Sequence, residues 1–522
     1  MSRKYTLWYF ISGLVLVAVL VLAVILNENY SSDMSIVEGN IAVDNGDLKV
    51  NWERYSSYEV ELKESLVITN SGTYHLTGSL NNGNVIINVP DGYVKLILDN
   101  VTIKSANGPA ISCLEADDLV IELVGKNDLE DSSKYTDLNE DISGAFYSKA
   151  DLTFEGSGIL NLIANYQDGI VSKDDLKFNS GTYIISAVDD GIRGKDSVYI
   201  IDGNFKVEAK ADAIKSTNET TNGKGFILIE NGSFELKASA KGIKAVNNII
   251  IRDGDFKITS TDDGIHSNNY IGLYGGKIEI SSGDDGIHAD KKIIIDSSVV
   301  DIKKSYEGIE AQAITINSGE ISIVANDDGM NAGGGADASS NNRPGANPFD
   351  ADVNCVLTIN GGKIYINAAG DGIDSNGYLY FNGGDVVVDG PTNSGNGALD
   401  SGAGIFMTGG TVVAVGASGM AETLGASSSV YNASIYFSST QIAGTVVTIK
   451  DADNKTIISH ASKKTFNHMS VGTEAFVPGQ TYTIFIDGVK YQSFTISSIT
   501  TTIGNNNSNQ NMGPGPMNGG RR

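Results

Sequence analysis

Apolar and polar residues alternate along most of this chain in short runs separated by Gly and Asn, and the pattern usually restarts after 22 residues. A DDGI-type phrase recurs, with its third position at Gly169, Gly191, Ala213, Gly242, Gly264, Gly286, Gly308, Gly329 and Gly372. A second marker keeps the same spacing, at Gly181, Gly203, Gly232, Gly254, Gly276, Ser298, Gly319, Gly362 and Gly384. Alternation with a period of two in β-branched runs predicts strands rather than helices.

Each repeat holds three short strands and three turns, and only stacked repeats can bury their inward faces. This predicts an all-β fold, a right-handed, single-stranded parallel β-helix of about 22 residues per turn, over residues 61–424. Lys304 falls where other repeats have a small inward residue, which predicts a bulge there. Beyond about Gly425 the repeat is lost, and residues 425–503 are expected to form a small antiparallel β unit. Residues 504–522 have low complexity and are expected to be disordered.

Residues 7–26 form an uncharged apolar run that is long enough to cross a bilayer as a helix. Arg3 and Lys4 precede the run, so residues 1–6 are expected in the cytoplasm and the bulk of the chain outside it. This predicts a single-pass membrane anchor followed by a linker over residues 27–60. A cleaved signal peptide, which would make the protein secreted, is the alternative.

Composition narrows the choice of partners. The chain has 522 residues, 37 of them basic and 63 acidic, so its net charge of −26 repels phosphate backbones and argues against nucleic-acid binding. Metal cations, or polymers bridged through them, suit this charge better. Cys113 and Cys355 are many repeats apart and are expected to be unbonded. The oligomeric state is left open.

An acid stands before the third position of most phrases, and we call this set the acid column: Asp168, Asp190, Asp212, Asp263, Asp285, Glu307, Asp328 and Asp371. Asp before Gly is also ordinary turn chemistry. Stacked carboxylates about 4.8 Å apart would, however, repel by about 3 kcal/mol per pair at an effective dielectric constant near 20. Hard cations that bridge oxygen ligands would relieve this repulsion, which predicts Ca²⁺. The candidate ligands are Asp189, Asp190, Asp262, Asp263, Asp284, Asp285, Glu307, Asp327, Asp328, Asp371 and Asp374.

Two positions after the phrase glycine lies an outward-facing set, which we call the outward column: Val171, Arg193, Lys215, Lys244, His266, His288, Glu310, Asn331 and Asp374. It is either an ordinary solvated face or a polar strip that grips a long polymer. The candidate substrate-binding residues are Lys215, Lys244, His266, His288, Glu310 and Asn331. Zinc binding by His266 and His288 is a less favoured hypothesis, because two ligands are too few for a zinc site. Insertions around residues 218–224 and 333–352 leave from one corner and would wall a groove.

The DDGI-type phrases, the NGG and DGD turns and the Gly/Asn/Pro-rich insertion resemble the bacterial extracytoplasmic carbohydrate-binding domain-containing β-helix family, which is related to pectate lyases. The similarity covers roughly residues 61–491. It implies a right-handed parallel β-helix with bound Ca²⁺ that binds acidic polysaccharide such as polygalacturonate, with cellulose as a further candidate. The acids that match the family phrase are Asp189/Asp190, Asp262/Asp263, Asp284/Asp285, Asp327/Asp328 and Asp371, whereas Ala211 and Lys241 depart from it.

Three functions are consistent with these features. The first is a non-catalytic cell-surface protein that binds acidic polysaccharide through Ca²⁺. The second is a Ca²⁺-dependent polysaccharide lyase, in which a Lys or Arg of lowered pKa would take the proton α to the uronate carboxyl. The candidate bases are Arg193, Lys195, Lys215 and Lys244. The third is a structural adhesin or stalk.

Overall fold

The computed structural model describes residues 50–136, 141–333 and 351–505. These residues form a parallel β-solenoid of about 15 turns with about 22 residues per turn, which confirms the predicted parallel all-β architecture. Within these ranges the chain forms no α-helix, and a 3₁₀ turn at Trp52–Arg54 precedes the first strand. No helix of the described ranges could span a membrane. The predicted anchor at residues 7–26 lies outside them.

The solenoid has three faces, each built by in-register parallel pairing of one strand from every turn. Face 1 contains β2 (Leu66–Ile68), β4 (Val85–Asn88), β7 (Ile111–Glu115), β10 (Gly144–Ser148), β13 (Asp168–Ser172), β16 (Ile192–Gly194), β19 (Ile214–Ser216), β22 (Ile243–Ala245), β25 (Ile265–Ser267), the first parts of β28 (Ile287–Ile295) and β30 (Ile309–Ile316), β32 (Met330–Ala332), β35 (Ile373–Ser375) and β38 (Leu399–Ser401).

Face 2 contains β1 (Ser57–Leu62), the first part of β3 (Gly72–Leu80), β5 (Tyr93–Asp99), β8 (Asp118–Val124), β11 (Asp151–Gly156), β14 (Asp175–Phe178), β17 (Ser197–Ile200), β20 (Phe226–Ile229), β23 (Asn248–Ile251), β26 (Tyr270–Leu273), the second parts of β28 and β30, β33 (Val356–Ile359), β36 (Tyr378–Phe381) and β39 (Gly404–Met407).

Face 3 contains the end of β3, β6 (Thr102–Lys104), β9 (Lys126–Glu130), β12 (Ile159–Ala164), β15 (Thr182–Ala187), β18 (Asn204–Ala209), β21 (Ser233–Ala238), β24 (Asp255–Ser260), β27 (Lys277–Ser281), β29 (Val299–Ser305), β31 (Glu320–Ala325), β34 (Lys363–Ala368), β37 (Asp385–Asp389) and β40 (Thr411–Gly416). The chain passes from face 1 to face 2 to face 3 in each turn, so three corners separate the faces.

The core consists of inward side chains stacked from turn to turn at the positions that the alternation predicted. On face 3, Tyr183, Phe205, Phe234 and Phe256 are buried, and successive ring centroids lie 4.8, 5.0 and 4.4 Å apart. Apolar residues of faces 1 and 2 fill the rest of the interior. Burial of these stacked rings and branched side chains is the main source of stability, because the hydrophobic contribution scales with the area removed from water.

The two glycine markers have different structural causes. Gly254, of the second marker, has a φ of +124°, which side chains on an L-residue rarely allow. Gly264, of the DDGI-type phrase, lies against the next turn, and a Cβ atom there would be 2.5 Å from the carbonyl oxygen of Gly286. Each marker therefore keeps its place because a larger residue would strain or separate adjacent turns.

The repeat is interrupted at Lys304, as predicted. The pairing of β27 with β29 shifts between Ile280 and Ser281, and Ser281 then pairs with Lys304. The side chain of Lys304 is exposed. The bulge turns a long charged side chain outward that would otherwise point into the core.

The C-terminal unit continues face 3 and then forms a separate sheet. Its strands are β41 (Asn432–Gln441), β42 (Val446–Lys450), β43 (Thr456–Ala461), β44 (Phe466–Thr473), β45 (Thr481–Ile486), β46 (Val489–Thr495) and β47 (Thr500–Ile503). Strand β44 pairs antiparallel with both β40 and β41, and the second sheet, β43-β42-β45-β46, is antiparallel throughout. The prediction of a purely antiparallel unit is wrong in one pair, because β41 and β47 run parallel.

A buried carboxylate joins this unit to the solenoid. Asp389 is fully buried and accepts hydrogen bonds from the Tyr365 hydroxyl and from the backbone N–H of Lys463. His460 Nε2 lies 2.8 Å from the same carboxylate. Cys113 and Cys355 are buried and free, as expected.

Candidate functional site

The acid column lies at the corner between faces 3 and 1, beside the outward column of face 1. The pairing of successive face 1 strands brings Lys215 beside Lys244, His288 beside Glu310, and Asn331 beside Asp374. We call the two columns together the polar strip. The strip continues to Asp400, which pairs with Asp374.

The acid column connects successive turns through its side chains. Asp168 Oδ1 accepts a hydrogen bond from the backbone N–H of Asp190 at 3.1 Å, and Asp190 Oδ1 accepts one from Asp212 at the same distance. Asp263 repeats the contact with the N–H of Asp285 at 3.0 Å, as Asp328 does with that of the next acid at 2.6 Å. In each of these four carboxylates, one oxygen is therefore used by a backbone hydrogen bond to the next turn. The second oxygen can contact side chains of the outward column.

In the N-terminal half of the strip, basic side chains of the protein neutralise the acids. Arg193 Nη2 lies 2.7 Å from Asp168 Oδ2. Lys215 Nζ lies 3.1 Å from Asp190 and 2.8 Å from Asp212, and these two acids outweigh the effect of burial and raise its pKa. Arg193 and Lys215 therefore offset much of the repulsion between stacked acids in this half, although burial still raises the pKa of Asp168 to about 6.

Lys241 extends this neutralisation, although it stands where the family phrase has an acid. Its ammonium group pairs with Asp262 and Asp263, and His266 Nδ1 lies 2.8 Å from Asp263. Burial opposes ionisation of Asp263, but the His266 hydrogen bond and the Lys241 charge lower its pKa to about 2. The departure from the phrase supplies the cation that this part of the column needs.

The C-terminal half of the strip lacks such cations. We call its carboxylates the acidic end: Glu307, Asp328, Asp371, Asp374, Asp400 and Glu422. Within the ranges that the structure describes, no lysine or arginine forms an ion pair with any of them. Asp400 and Glu422 were missed from the sequence. The repetition of Ile373-Asp374-Ser375 as Leu399-Asp400-Ser401 could have revealed Asp400, whereas Glu422 lies beyond the repeat.

The acidic end carries unfavourable charge when it is ionised. Burial, followed by repulsion from Asp371, raises the pKa of Asp328 to about 7. Burial also raises the pKa of Glu307 to about 9 and that of Glu422 to about 7, with neighbouring carboxylates adding to both. Asp374 is shifted well above its ordinary pKa by the same two causes. These groups favour either protons or a bound cation.

A neutral oxygen lies among them. Asn331 Nδ2 donates a hydrogen bond to Glu307 Oε2 at 3.1 Å, while the buried Asn331 Oδ1 has no hydrogen-bond partner among the residues that the structure describes. Asn331 lies between Glu310 and Asp374 in the outward column. Carboxylates together with an amide oxygen make an oxygen-only donor set, which suits Ca²⁺. The donor chemistry of the acidic end therefore suits the ion that the sequence predicted, although its carboxylates form no compact three-residue ligand group in the described part of the chain.

The comparisons with known proteins bear on this site. A family model described as "Carbohydrate-binding domain-containing protein" matches residues 63–343, more than half of the chain and most of the polar strip. The chain belongs to this family. The family resemblance predicted from the DDGI-type phrases is thereby confirmed.

Two known proteins are similar to this member of the carbohydrate-binding domain family over part of its length. A carbohydrate-binding domain-containing protein of Acetivibrio thermocellus is 30% identical over 157 residues, which are 29% of this chain and 54% of the relative. The match thus spans about half the length of that curated relative. A polysaccharide lyase-like protein from C. thermocellum, solved as a gadolinium derivative, is 24% identical with a TM-score of 0.38, covering 45% of this chain and 95% of that one.

Across residues 50–136, 141–333 and 351–505, potential metal ligands of this family member also form four compact groups, in each of which ligand atoms of three residues lie within 4.8 Å of one another. The groups are Asp285/His288/Glu310, Asp151/Asp174/Asp175, Asp168/Asp189/Asp190 and Asp262/Asp263/Asp284. Arg193 or Lys241 already pairs with an acid in each of the last two. Of the remaining predicted ligands, Asp327 is partly buried at the same corner. The predicted metal residues are therefore spread over several turns rather than gathered in one centre.

The predicted substrate-binding residues differ in access. His266 and His288 are buried, with 4% and 0% exposure, so their rings cannot lie against a polymer. Lys215 is held by two acids. Lys244 is only partly buried and has no ion pair within the described ranges, so it remains available. The outward column is thus a largely paired strip rather than a solvated face.

A basic column at the corner between faces 1 and 2 was missed from the sequence, except for Lys195. Lys149, Lys173 and Lys195 follow in-register strand positions on three successive turns. Burial lowers the pKa of Lys173, and the charges of Arg193 and Lys195 lower it further. This column could have been found by applying the repeat spacing to basic residues.

A groove of about 560 Å³ lies elsewhere, on the outer side of face 3. Its lining includes the exposed ion pair of Lys206 with Glu235, whose atoms are 2.9 Å apart. None of the polar strip lines this groove. We give the strip more weight, because exposed ion pairs are ordinary surface features, whereas buried uncompensated carboxylates require an explanation.

Proposed function

We propose that this protein binds acidic polysaccharide along the polar strip and the neighbouring basic column, with Ca²⁺ at the acidic end. The observation that carries the proposal is the acidic end itself, whose partly buried carboxylates have raised pKa values and no basic partner among the described residues. The family supports carbohydrate as the ligand class. That the sugar is acidic and that the protein binds calcium go beyond the family assignment and are our proposals.

The ligands for Ca²⁺ would be Asp328, Asp371 and Asp374, together with Asn331 Oδ1 and Glu307. When bound, the ion would supply positive charge to a sugar carboxylate that the acidic end would otherwise repel. The chain's own part is to hold these oxygens on consecutive turns and partly exclude water. Calcium takes six to eight oxygens, so waters and the sugar can complete the set.

The basic residues would bind other carboxylates of the same polymer. Lys244 has no ion-pair partner among the described residues, and Lys173 and Lys195 are neighbours of Arg193 at the next corner. A carboxylate placed among these cations would relieve the repulsion that lowers the pKa of Lys173. A neutral polymer would gain nothing from this arrangement, so we expect uronate polymers to bind in preference to cellulose.

The test is affinity electrophoresis on polygalacturonate and on cellulose, in calcium and in excess EDTA. We expect retardation on polygalacturonate that EDTA removes, and at least tenfold weaker binding for the double variant Asp328→Asn/Asp374→Asn. The matched control is Asp212→Asn, which changes an acid that Lys215 already neutralises. Binding unchanged by EDTA would overturn the calcium bridge, and no binding to any polysaccharide would favour an adhesin or stalk.

One observation favours a polysaccharide lyase as a second candidate. A general base needs a lysine that loses its proton easily, and this fits Lys173 better than Lys215. The other sequence candidates, Arg193, Lys195 and Lys244, have no such observation in their favour. The assay is the ultraviolet absorbance of an unsaturated product from polygalacturonate. Product formation that Lys173→Met abolishes while binding persists would establish the activity, and no product would exclude it for this substrate.

We propose in addition that residues 7–26 anchor the chain in the membrane with its bulk outside the cytoplasm. The uncharged run and the preceding Arg3 and Lys4 support this orientation. Protease treatment of intact cells should degrade the solenoid and leave a short membrane-bound fragment. Full-length release into the medium would instead support a secreted protein.

A further inference from the structure

We infer that Asp285, His288 and Glu310 form a site for a divalent transition-metal ion such as Zn²⁺. The site lies in the middle of the polar strip, where the cation-paired half meets the acidic end. It does not depend on the proposed carbohydrate or calcium function.

The geometry of one nitrogen carries the inference. His288 Nδ1 lies 2.9 Å from Glu310 Oε2 and 3.1 Å from Asp285 Oδ2. The single hydrogen of this nitrogen can serve both carboxylates only as a shared, three-centre hydrogen bond. Neighbouring ligand atoms on one metal ion, with bonds of about 2.1 Å, lie about 3.0–3.4 Å apart. The two contacts of His288 Nδ1 have nearly this spacing, and the ligand atoms of all three residues lie within 4.8 Å of one another.

The surroundings hold the three ligands in place. His288 is completely buried, and its ring stacks on that of His266 with centroids 4.9 Å apart and planes 8° apart. Asp285 uses its other oxygen, Oδ1, to accept a hydrogen bond from the backbone N–H of Glu307. On the far side of the imidazole, Asp290 Oδ1 lies 3.4 Å from Nε2. A carboxylate behind a ligating histidine orients the ring and strengthens it as a ligand.

The charges around His288 also favour a bound cation. Three carboxylates, those of Asp285, Asp290 and Glu310, surround one imidazole, which can contribute a single positive charge. A divalent ion bound to two of them would balance their charge while the third orients the ring. The nitrogen ligand separates this site from the acidic end, because imidazole suits zinc, copper, iron and nickel, whereas calcium prefers oxygen ligands alone.

The adjacent histidine shows what a purely structural pairing looks like in this fold. His266 has one carboxylate at Nδ1, that of Asp263, and the Asn268 side chain at Nε2. Lys241 already neutralises Asp263. His266 therefore shares the burial, the strand position and the ring stack of His288 but lacks the second carboxylate, which makes it a matched control.

The test uses the full chain, stripped with chelator and titrated by calorimetry with Zn²⁺ alone. We expect one saturable site that excess Ca²⁺ does not displace. His288→Gln and, separately, Glu310→Gln should each weaken Zn²⁺ binding at least tenfold, whereas His266→Gln should change it less than threefold. Thermal unfolding shows whether each variant is folded, and the partly exposed Glu310 provides a readout if His288→Gln does not fold.

Absence of saturable binding would overturn the inference, as would equal losses in the His266 and His288 variants. Complete displacement of Zn²⁺ by Ca²⁺ would also overturn it and would assign the ion to the acidic end. Zinc-edge anomalous density among the three side chains of a Zn²⁺-soaked crystal would support it directly. The polygalacturonate assay is scored separately, so failure of either proposal leaves the other intact.

Discussion

The acidic end should make the calcium-free protein lose stability as the pH rises, and Asp328→Asn isolates one part of this effect. The folded pKa of Asp328 is raised from 3.8 to about 7. A shift of about three units, at about 1.4 kcal/mol per unit, corresponds to about 4 kcal/mol. Because the folded pKa is the higher one, this stability is complete below pH ~4 and is lost as the pH rises through about 7.

The variant removes the charge and keeps the contact. An amide at position 328 can still accept the hydrogen bond from the backbone N–H of Asp371. At pH 8 in EDTA we therefore expect Asp328→Asn to be more stable than the natural protein by about 4 kcal/mol. For a chain of this length that is about 4 °C in Tm. At pH 4 the two proteins should melt together, and calcium should stabilise the natural protein more than the variant at pH 8.

Scanning calorimetry at pH 4, 6 and 8, with EDTA and with calcium, provides the assay. The control is Asp212→Asn, at the equivalent repeat position, where Lys215 lies 2.8 Å from the carboxylate. That variant should show no gain at pH 8. If Asp328→Asn is no more stable than Asp212→Asn at pH 8, the acidic end is not under electrostatic strain, and the argument for a bound cation fails.

Two further variants test the packing and pairing of the solenoid. Lys241→Met should lower the free energy of unfolding by about 3–5 kcal/mol at pH 7, because it leaves Asp263 buried without its main cation. Urea denaturation measures this loss, and an equal loss in Lys244→Met would contradict the explanation. Phe234→Ala should cost about 3–5 kcal/mol in the same assay, because its ring is stacked between Phe205 and Phe256, and a loss below about 1 kcal/mol would show that the stack can collapse around the gap.

The architecture could be predicted because every turn repeats the same physical requirement. Inward positions must be apolar, and positions such as Gly254 must adopt a positive φ, so both leave a periodic trace in the sequence. Lys304 could be predicted as a bulge for the same reason, since it breaks that trace. Strands β44 and β47 of the C-terminal unit were not predicted, because they occur once and have no repeat to reveal them.

The candidate site was only partly predictable. Repeat spacing brought the acid column and the outward column together, but it could not show how their side chains pair. Lys241 looked like a defect of the phrase and is the cation that neutralises Asp263. His266 and His288 looked exposed because they alternate outward, whereas the neighbouring side chains of the strip bury them. Glu422 enters from beyond the repeat, so only the folded chain brings it near Asp400 and Asp371.

The antiparallel pairing of β44 with β40 limits how this molecule can grow or assemble. A parallel array exposes, at each end, a strand that a further copy could extend, and here that edge is already paired with a strand running the opposite way. Extension of face 3 through this end is therefore blocked without unfolding the last unit, which leaves β38 and β39 as the last paired strands of faces 1 and 2. A change in length would have to occur inside the array, where each whole turn added or removed would alter the rod by about 4.8 Å. Such an edit would also move the charge boundary between Lys241 and Glu307 along the rod without disturbing either terminus of the array.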